Sequence, residues 1–199
     1  VETNGYKRIK SFEAMKLSSD GGNVVGNKIK FSSDCIGISG GWTPMVHLFT
    51  QSGGKLQFKS NDNIFIPDET KTPSEQISVG SCNGDFELDD IVNNTIYNVK
   101  KFISLDKSSY DKINVNCSKE SSKKNIWLLP SDKPLHKTKP FLDFQNDSTA
   151  KDIKLALREG FKSIEHVKRY TTTGMGTDQG KLSNMHALGI IADTTGTNM

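Results

Sequence analysis

A polar stretch in the middle of this 199-residue chain constrains its folding most. Residues 102–140 are rich in Lys, Ser and Asn, and positions 118–124 read SKESSKK. Such a composition buries too little apolar surface to offset the entropy of ordering its backbone, so it reads as a linker. One apolar insert, Ile126-Trp127-Leu128-Leu129-Pro130, is expected to dock as a short strand. The chain is long enough for one domain or two small ones, and the parts flanking the linker are read separately.

Residues 1–101 carry short apolar runs divided by Gly, Asn and Asp. Val24-Val25, residues 28–31 (KIKF), Cys35-Ile36-Gly37-Ile38 and Ile64-Phe65-Ile66 read as strands, the first two joined by a turn at Gly26-Asn27. Residues 86–101 then place Leu88, Ile91, Val92, Ile96 and Val99 at helical spacing, despite poor propensity at Asn93 and Asn94. From residue 141 the texture turns helical. Ser148 or Thr149 can cap a helix holding Ile153, Ala156 and Leu157 that Gly160 ends. Ser163 can cap a second, with Ile164, Val167 and Tyr170 on one face. After a Gly-rich loop at residues 173–180, Ser183 can cap a third, with Met185, Leu188 and Ala192.

Composition removes several classes of function. No run approaches the roughly 20 apolar residues of a membrane helix. The formal net charge of +3 is spread over Lys residues interleaved with Asp and Glu, a solvated surface and not a nucleic-acid footprint. The first residues, Val-Glu-Thr-Asn-Gly, lack the charged and apolar regions of a secretory signal, and without Met they fit a chain that starts inside a longer one. Cys35, Cys82 and Cys117 are isolated, odd in number and without metal-type spacing, which points to free thiols and a cytoplasmic setting. His47, His136, His166 and His186 match no zinc pattern, so no metal site is expected. His166, within EHVKRY, reads as structural or interfacial. No Ser/His/Asp arrangement is present and no catalytic residue is assigned. Taken alone, Trp42 and Trp127 read as core or domain-contact residues.

Two segments of the first part carry more information. Residues 34–44 (DCIGISGGWTP) read as a strand followed by Gly41-x-x-Pro44, a turn that lets backbone pass close to a dinucleotide. Residues 77–84 (ISVGSCNG) place Gly80 and Ser81 just before a helix. The first segment resembles a late strand motif of two-dinucleotide-binding-domain flavoproteins, the family of the disulfide reductases. Its continuation, MVHLFTQSGGKL at 45–56, resembles sarcosine oxidase α subunits. Relatives carry Ala-Gly-Asp at the second segment, where the Asp meets the flavin ribityl chain of FAD. Ser81 stands at that position here, which fits the α-subunit domain that holds NAD. No G-x-G-x-x-G occurs, so the principal pyrophosphate turn is missing from this chain.

The resemblance is most specific at the C-terminal end, in FLDFQND (141–147), TAKDI (149–153), REGF (158–161), EHVKRYTT (165–172), GMGTDQGK (174–181) and Ser183-Asn184. This series resembles the connector between the NAD domain and the folate-binding domain of heterotetrameric sarcosine oxidase α subunits. The same layout is similar to the [2Fe–2S] module of bacterioferritin-associated ferredoxin, whose four Cys ligands correspond to Asp143, Gln145, Asp178 and Ser183. None of these is a thiolate, so the layout implies a module without its cluster.

The fold expected from these readings is α/β. It comprises a partial FAD/NAD(P)-binding, disulfide-reductase-like domain at 1–101, the linker at 102–140, and a small all-helical connector at 141–199. The resemblance implies an oxidoreductase that demethylates sarcosine to glycine, forming 5,10-methylenetetrahydrofolate and hydrogen peroxide. FMN would lie at the contact with the β subunit, and γ and δ subunits and the rest of the α chain would be further partners. Gly40, Gly41, Trp42, Pro44, Gly80 and Ser81 would form part of the NAD pocket. The rival readings are a subunit-interaction module that binds no small molecule, and a subunit acting on a related N-methylamine, proline or an opine.

Overall fold

The computed structural model describes all residues except 1, 39, 73–74, 105–111 and 116–125. The chain divides into two compact units, one of Val1–Gly37 with Ile126–Met199 and one of Ile38–Asn125. This grouping differs from a division by texture along the chain, because the N-terminal strands join the helices and not the segment that follows them.

In the first unit, β1 (Glu2–Asn4), β2 (Ser11–Leu17) and β3 (Val24–Ser32) form an antiparallel sheet in that order. Phe12 pairs with Phe31 across the ladder, and their rings stack with centroids 5.0 Å apart. Gly26-Asn27 is no turn between two strands. Both residues lie inside β3, where the register jumps from Ala14↔Ile29 to Lys16↔Val25 and Gly26 adopts φ +80°. The extra residues are accommodated as a bulge, for which glycine supplies the left-handed backbone. Cys35-Ile36-Gly37-Ile38 is not a strand either. The Cys35 N–H is taken by the Ser33 hydroxyl (3.2 Å), and residues 35–38 join no ladder among the described residues.

The helical part of this unit opens with a short ladder, β6 (Phe141–Asp143) against β7 (Ser148–Thr149). The connector is therefore not all-helical. Helices α3 (Ala150–Arg158), α4 (Ile164–Thr171) and α5 (Asn184–Thr195) follow. Ala150, Ile153, Ala156, Val167, Ala187, Ile190 and Ile191 make the core. Completely burying a side chain such as Ile153 contributes roughly 3 kcal/mol. Helix α3 begins with a capping box in which Asp152 accepts from the N–H (2.8 Å) and hydroxyl (2.7 Å) of Thr149. It ends as Gly160 predicted: Gly160 takes φ +98°, and Phe161 N–H returns to the Ala156 carbonyl. Ser163 and Ser183 precede α4 and α5 as expected, but neither hydroxyl makes a cap bond. Helix α5 buries Ala187, Gly189, Ile190, Ile191 and Ala192, a wider apolar surface than the Met185/Leu188/Ala192 stripe suggests. Trp127 docks without forming a strand, its indole lying where Gly189 has no side chain.

The second unit holds α1 (His47–Gln51), the hairpin β4 (Leu56–Lys59) and β5 (Ile64–Pro67), and α2 (Leu88–Phe102). A 3₁₀ turn at Gly80–Asn83 precedes α2, and no strand is formed at residues 77–79. Gly84 (φ +83°) closes the turn against Ile64 and Ile66, where a side chain would collide with β5. Among the described residues, no helix is long and apolar enough to cross a membrane.

Candidate functional site

The residues singled out for NAD all lie in the second unit, in two stretches of irregular backbone. Gly40, Gly41 and Trp42 are exposed, Trp42 to 82%, while Pro44 is buried just ahead of α1. A Cβ placed on Gly40 or Gly41 would meet nothing within 4 Å. Gly41 needs glycine for its φ of +105°, but Gly40 lies outside the left-handed region and has no such need. Trp42 is thus no core residue, which leaves the domain contact of the two readings of the isolated Trp. Gly80 is buried at φ +67°, and its missing Cβ would sit 3.4 Å from Ile91 on α2. Ser81 is exposed on the same turn. Packing and conformation therefore account for Gly80 within the chain, whereas Gly40, Trp42 and Ser81 face outward.

The first unit contains a different polar centre, formed where residues 143–148 meet the end of α4. Helix α4 stops at Thr172 in the left-handed conformation (φ 59°), leaving terminal carbonyls without helical partners. Ser148 Oγ donates to the Thr171 carbonyl (2.6 Å), and Asn146 Nδ2 donates to that of Thr172 (3.2 Å). The Asp143 carboxylate, 4% exposed, accepts the Gly174 N–H at 2.9 Å on one oxygen. Its other oxygen accepts the N–H groups of Gln145 (2.9 Å) and Asn146 (3.1 Å). Burial pushes the Asp143 pKa up. The N–H of Gly174, the N–H and amide of Asn146 and the N–H of Gln145 outweigh it and hold the carboxyl below the ordinary aspartate value.

The remaining expected cluster positions follow the same logic. Gln145 Oε1 accepts from both N–H (2.5 Å) and hydroxyl (2.8 Å) of Thr177. Asp178 accepts from Gly180 and Leu182 N–H, each at 3.2 Å. Ser183 Oγ is buried with no hydrogen-bond partner. Three of the four side chains thus tie the Gly-rich loop by hydrogen bonds. Among the described residues, no three His, Cys, Asp or Glu side chains are grouped as metal ligands. Ser148 and Asn146 escape a sequence reading, because Ser148 looks like a cap for α3 and instead serves the far end of α4.

Two cavities open in this unit. One of about 150 Å³ lies between the helices beside Ile153, Val167, Ala187 and Leu188. The other, about 290 Å³, is lined by Asn146, Asp147, Ser148, Asp152 and Tyr170. Neither includes the residues read as NAD-binding.

Residues 137–199 match the sarcosine oxidase A3 domain family. The α subunit of sarcosine oxidase from Corynebacterium sp. (strain U-96) is 30% identical over 179 residues, covering 86% of this chain and 18% of that protein. The α subunit from Rhizobium meliloti (strain 1021) is 31% identical over 203 residues, covering 94% and 20%. The chain thus spans about a fifth of the curated relatives it matches. Among solved structures, an L-proline dehydrogenase from P. horikoshii superposes with a TM-score of 0.64 at 18% identity, covering 99% of this chain and 39% of that one. At that identity the likeness is one of mixed α/β fold. By sequence along most of its length, the chain belongs to the sarcosine oxidase α-subunit family, as a segment of such a subunit.

Proposed function

We propose that this chain supplies a scaffold and one side of an NAD site in the α subunit of a sarcosine oxidase-type amine oxidoreductase. The observation that carries this reading is the bare backbone at Gly40, next to an 82%-exposed Trp42. Among the described residues nothing requires glycine at position 40, whereas close approach of a dinucleotide would. Gly40, Gly41 and Gly80 would offer backbone to NAD, Trp42 a ring face and Ser81 a hydroxyl, with Pro44 fixing the turn. When bound, NAD supplies hydride-acceptor chemistry in general; the residues here bind and orient, and none is assigned to making or breaking bonds.

In the enzyme so inferred, FMN would be held at the β-subunit contact, outside this chain, and would supply the chemistry that oxidises sarcosine. The one-carbon unit passes to tetrahydrofolate and oxygen becomes hydrogen peroxide. Those steps belong to parts of the α subunit outside this segment and to the β, γ and δ subunits. The helical unit, organised around Asp143, would be the connector on which the neighbouring domains are set.

Intrinsic fluorescence tests the NAD reading, since Trp42 is its own reporter. NAD titrated at roughly millimolar concentrations or below should quench emission saturably in the wild type. The change should be lost in Trp42→Phe. An emission that responds only linearly, with no saturation, would remove the dinucleotide role and leave the scaffold role alone.

A further inference from the structure

Midway along α2, the side chain of Asn93 engages a distant piece of main chain. Its Nδ2 donates to the Ile113 carbonyl (2.8 Å), and its Oδ1 accepts the Ile113 N–H (3.0 Å). Nδ2 also donates to the Asp89 carbonyl one turn back (2.7 Å), which fixes the amide on the helix surface. The amide therefore meets both polar groups of one residue, as a neighbouring strand would. An uncharged primary amide presents a donor and an acceptor at that spacing, so the contact asks for Asn specifically. In the middle of a 15-residue helix Asn is otherwise a poor choice, because it competes for backbone hydrogen bonds. The partner lies 20 residues on, so local chain geometry does not impose the pairing. Apolar cover over the segment is only partial, since Ile113 is 45% exposed and Val115 half-buried.

We propose that Asn93 is a main-chain latch that straps residues 112–115 onto α2, making this segment a detachable element held by polar bonds. Exposed hydrogen bonds with little apolar cover open at low free-energy cost, so the strap releases while α2 stays folded. The inference is independent of NAD binding and of the proposed enzymatic role.

Amide hydrogen exchange on the whole 199-residue chain, followed residue by residue, tests it. In the wild type the Ile113 amide should exchange more slowly than in an unstructured peptide. Asn93→Ala should speed it by roughly fivefold to tenfold, the loss expected for a net hydrogen bond. Trypsin cleavage after Lys112 should rise in parallel, while the amides of α2 keep their protection. Should Asn93→Ala unfold α2, the near-isosteric Asn93→Asp decides: an acceptor facing the Ile113 carbonyl must also release the strap. Wild-type exchange at the unstructured rate, or unchanged exchange in a folded variant, overturns the latch.

Discussion

Replacing Asp143 by Ala is expected to lower the stability of the helical unit by about 3 kcal/mol, the scale of stranding buried donors without partners. The carboxylate accepts from Gly174, Gln145 and Asn146, and the Gly174 N–H is buried. Without Asp143 that N–H loses its partner, and the loop after α4 loses a tie to β6. Asp143→Asn keeps the volume but turns one acceptor into a donor, so it should cost less, about 1–2 kcal/mol. Chemical denaturation of the wild type and both variants measures the order directly. The depressed pKa of Asp143 adds a pH signature. A carboxylate whose folded pKa lies below its unfolded value contributes its full stability above the unfolded pKa, near 4. That contribution fades as pH falls from there through the folded pKa. The wild type should therefore converge on Asp143→Asn in acid and separate from it at neutral pH. Equal stability of all three at pH 7 would remove Asp143 as the organiser of this junction.

Gly189→Ala should also destabilise, although alanine is the better helix former. Its Cβ would overlap Cγ, Cδ2 and Cε2 of the Trp127 indole, a rigid ring that cannot yield as a flexible chain end would. Overpacking of this kind costs roughly 1–3 kcal/mol, against a helix-propensity gain of about 1 kcal/mol. A net loss of up to about 2 kcal/mol follows, centred near 1 kcal/mol. The cycle with Trp127→Leu isolates the clash, because a smaller side chain at 127 should tolerate Ala at 189 and reverse the sign. If Gly189→Ala stabilises the wild-type background, Trp127 does not pack there.

The contrast between Gly189 and Gly160 shows what a linear reading captures. Gly160 follows an amphipathic run and terminates it, a local event driven by backbone conformation, so its role is legible. Gly189 sits inside a helix for the sake of an indole 62 positions away, and nothing nearby in the sequence announces that partner. The same division runs through the polar residues. Thr149 caps its own helix and is legible. Ser148, one residue earlier, bonds a carbonyl 23 positions on, while Asn93 looks like a flaw in α2 until Ile113 is placed beside it. The apolar spacing at residues 88–99 locates α2 almost to the residue, because the period of the apolar residues is itself helical, although none of them is fully buried. Short strands are harder to read. Gly26-Asn27 has the composition of a turn and is a bulge, since only the pairing with β2 distinguishes the two. At the candidate site, Gly40 and Trp42 are recognisable from motif texture. Their exposure is a three-dimensional fact, and it separates a residue available to a ligand from one serving the core. Asp143 and Gln145 are marked in the sequence only by the absence of cysteine. What replaces the thiolates is a set of hydrogen bonds to loop N–H groups that lie some 30 residues downstream.

Thermal unfolding of the chain with and without millimolar NAD tests the central claim most directly. A ligand that binds only the folded form at about 100 times its dissociation constant adds roughly 2.7 kcal/mol of stability. The account predicts a cooperative transition whose midpoint rises with NAD, and a smaller rise when Gly40 is replaced by Val, which would block close approach. A cooperative transition that NAD leaves unmoved would contradict the dinucleotide site.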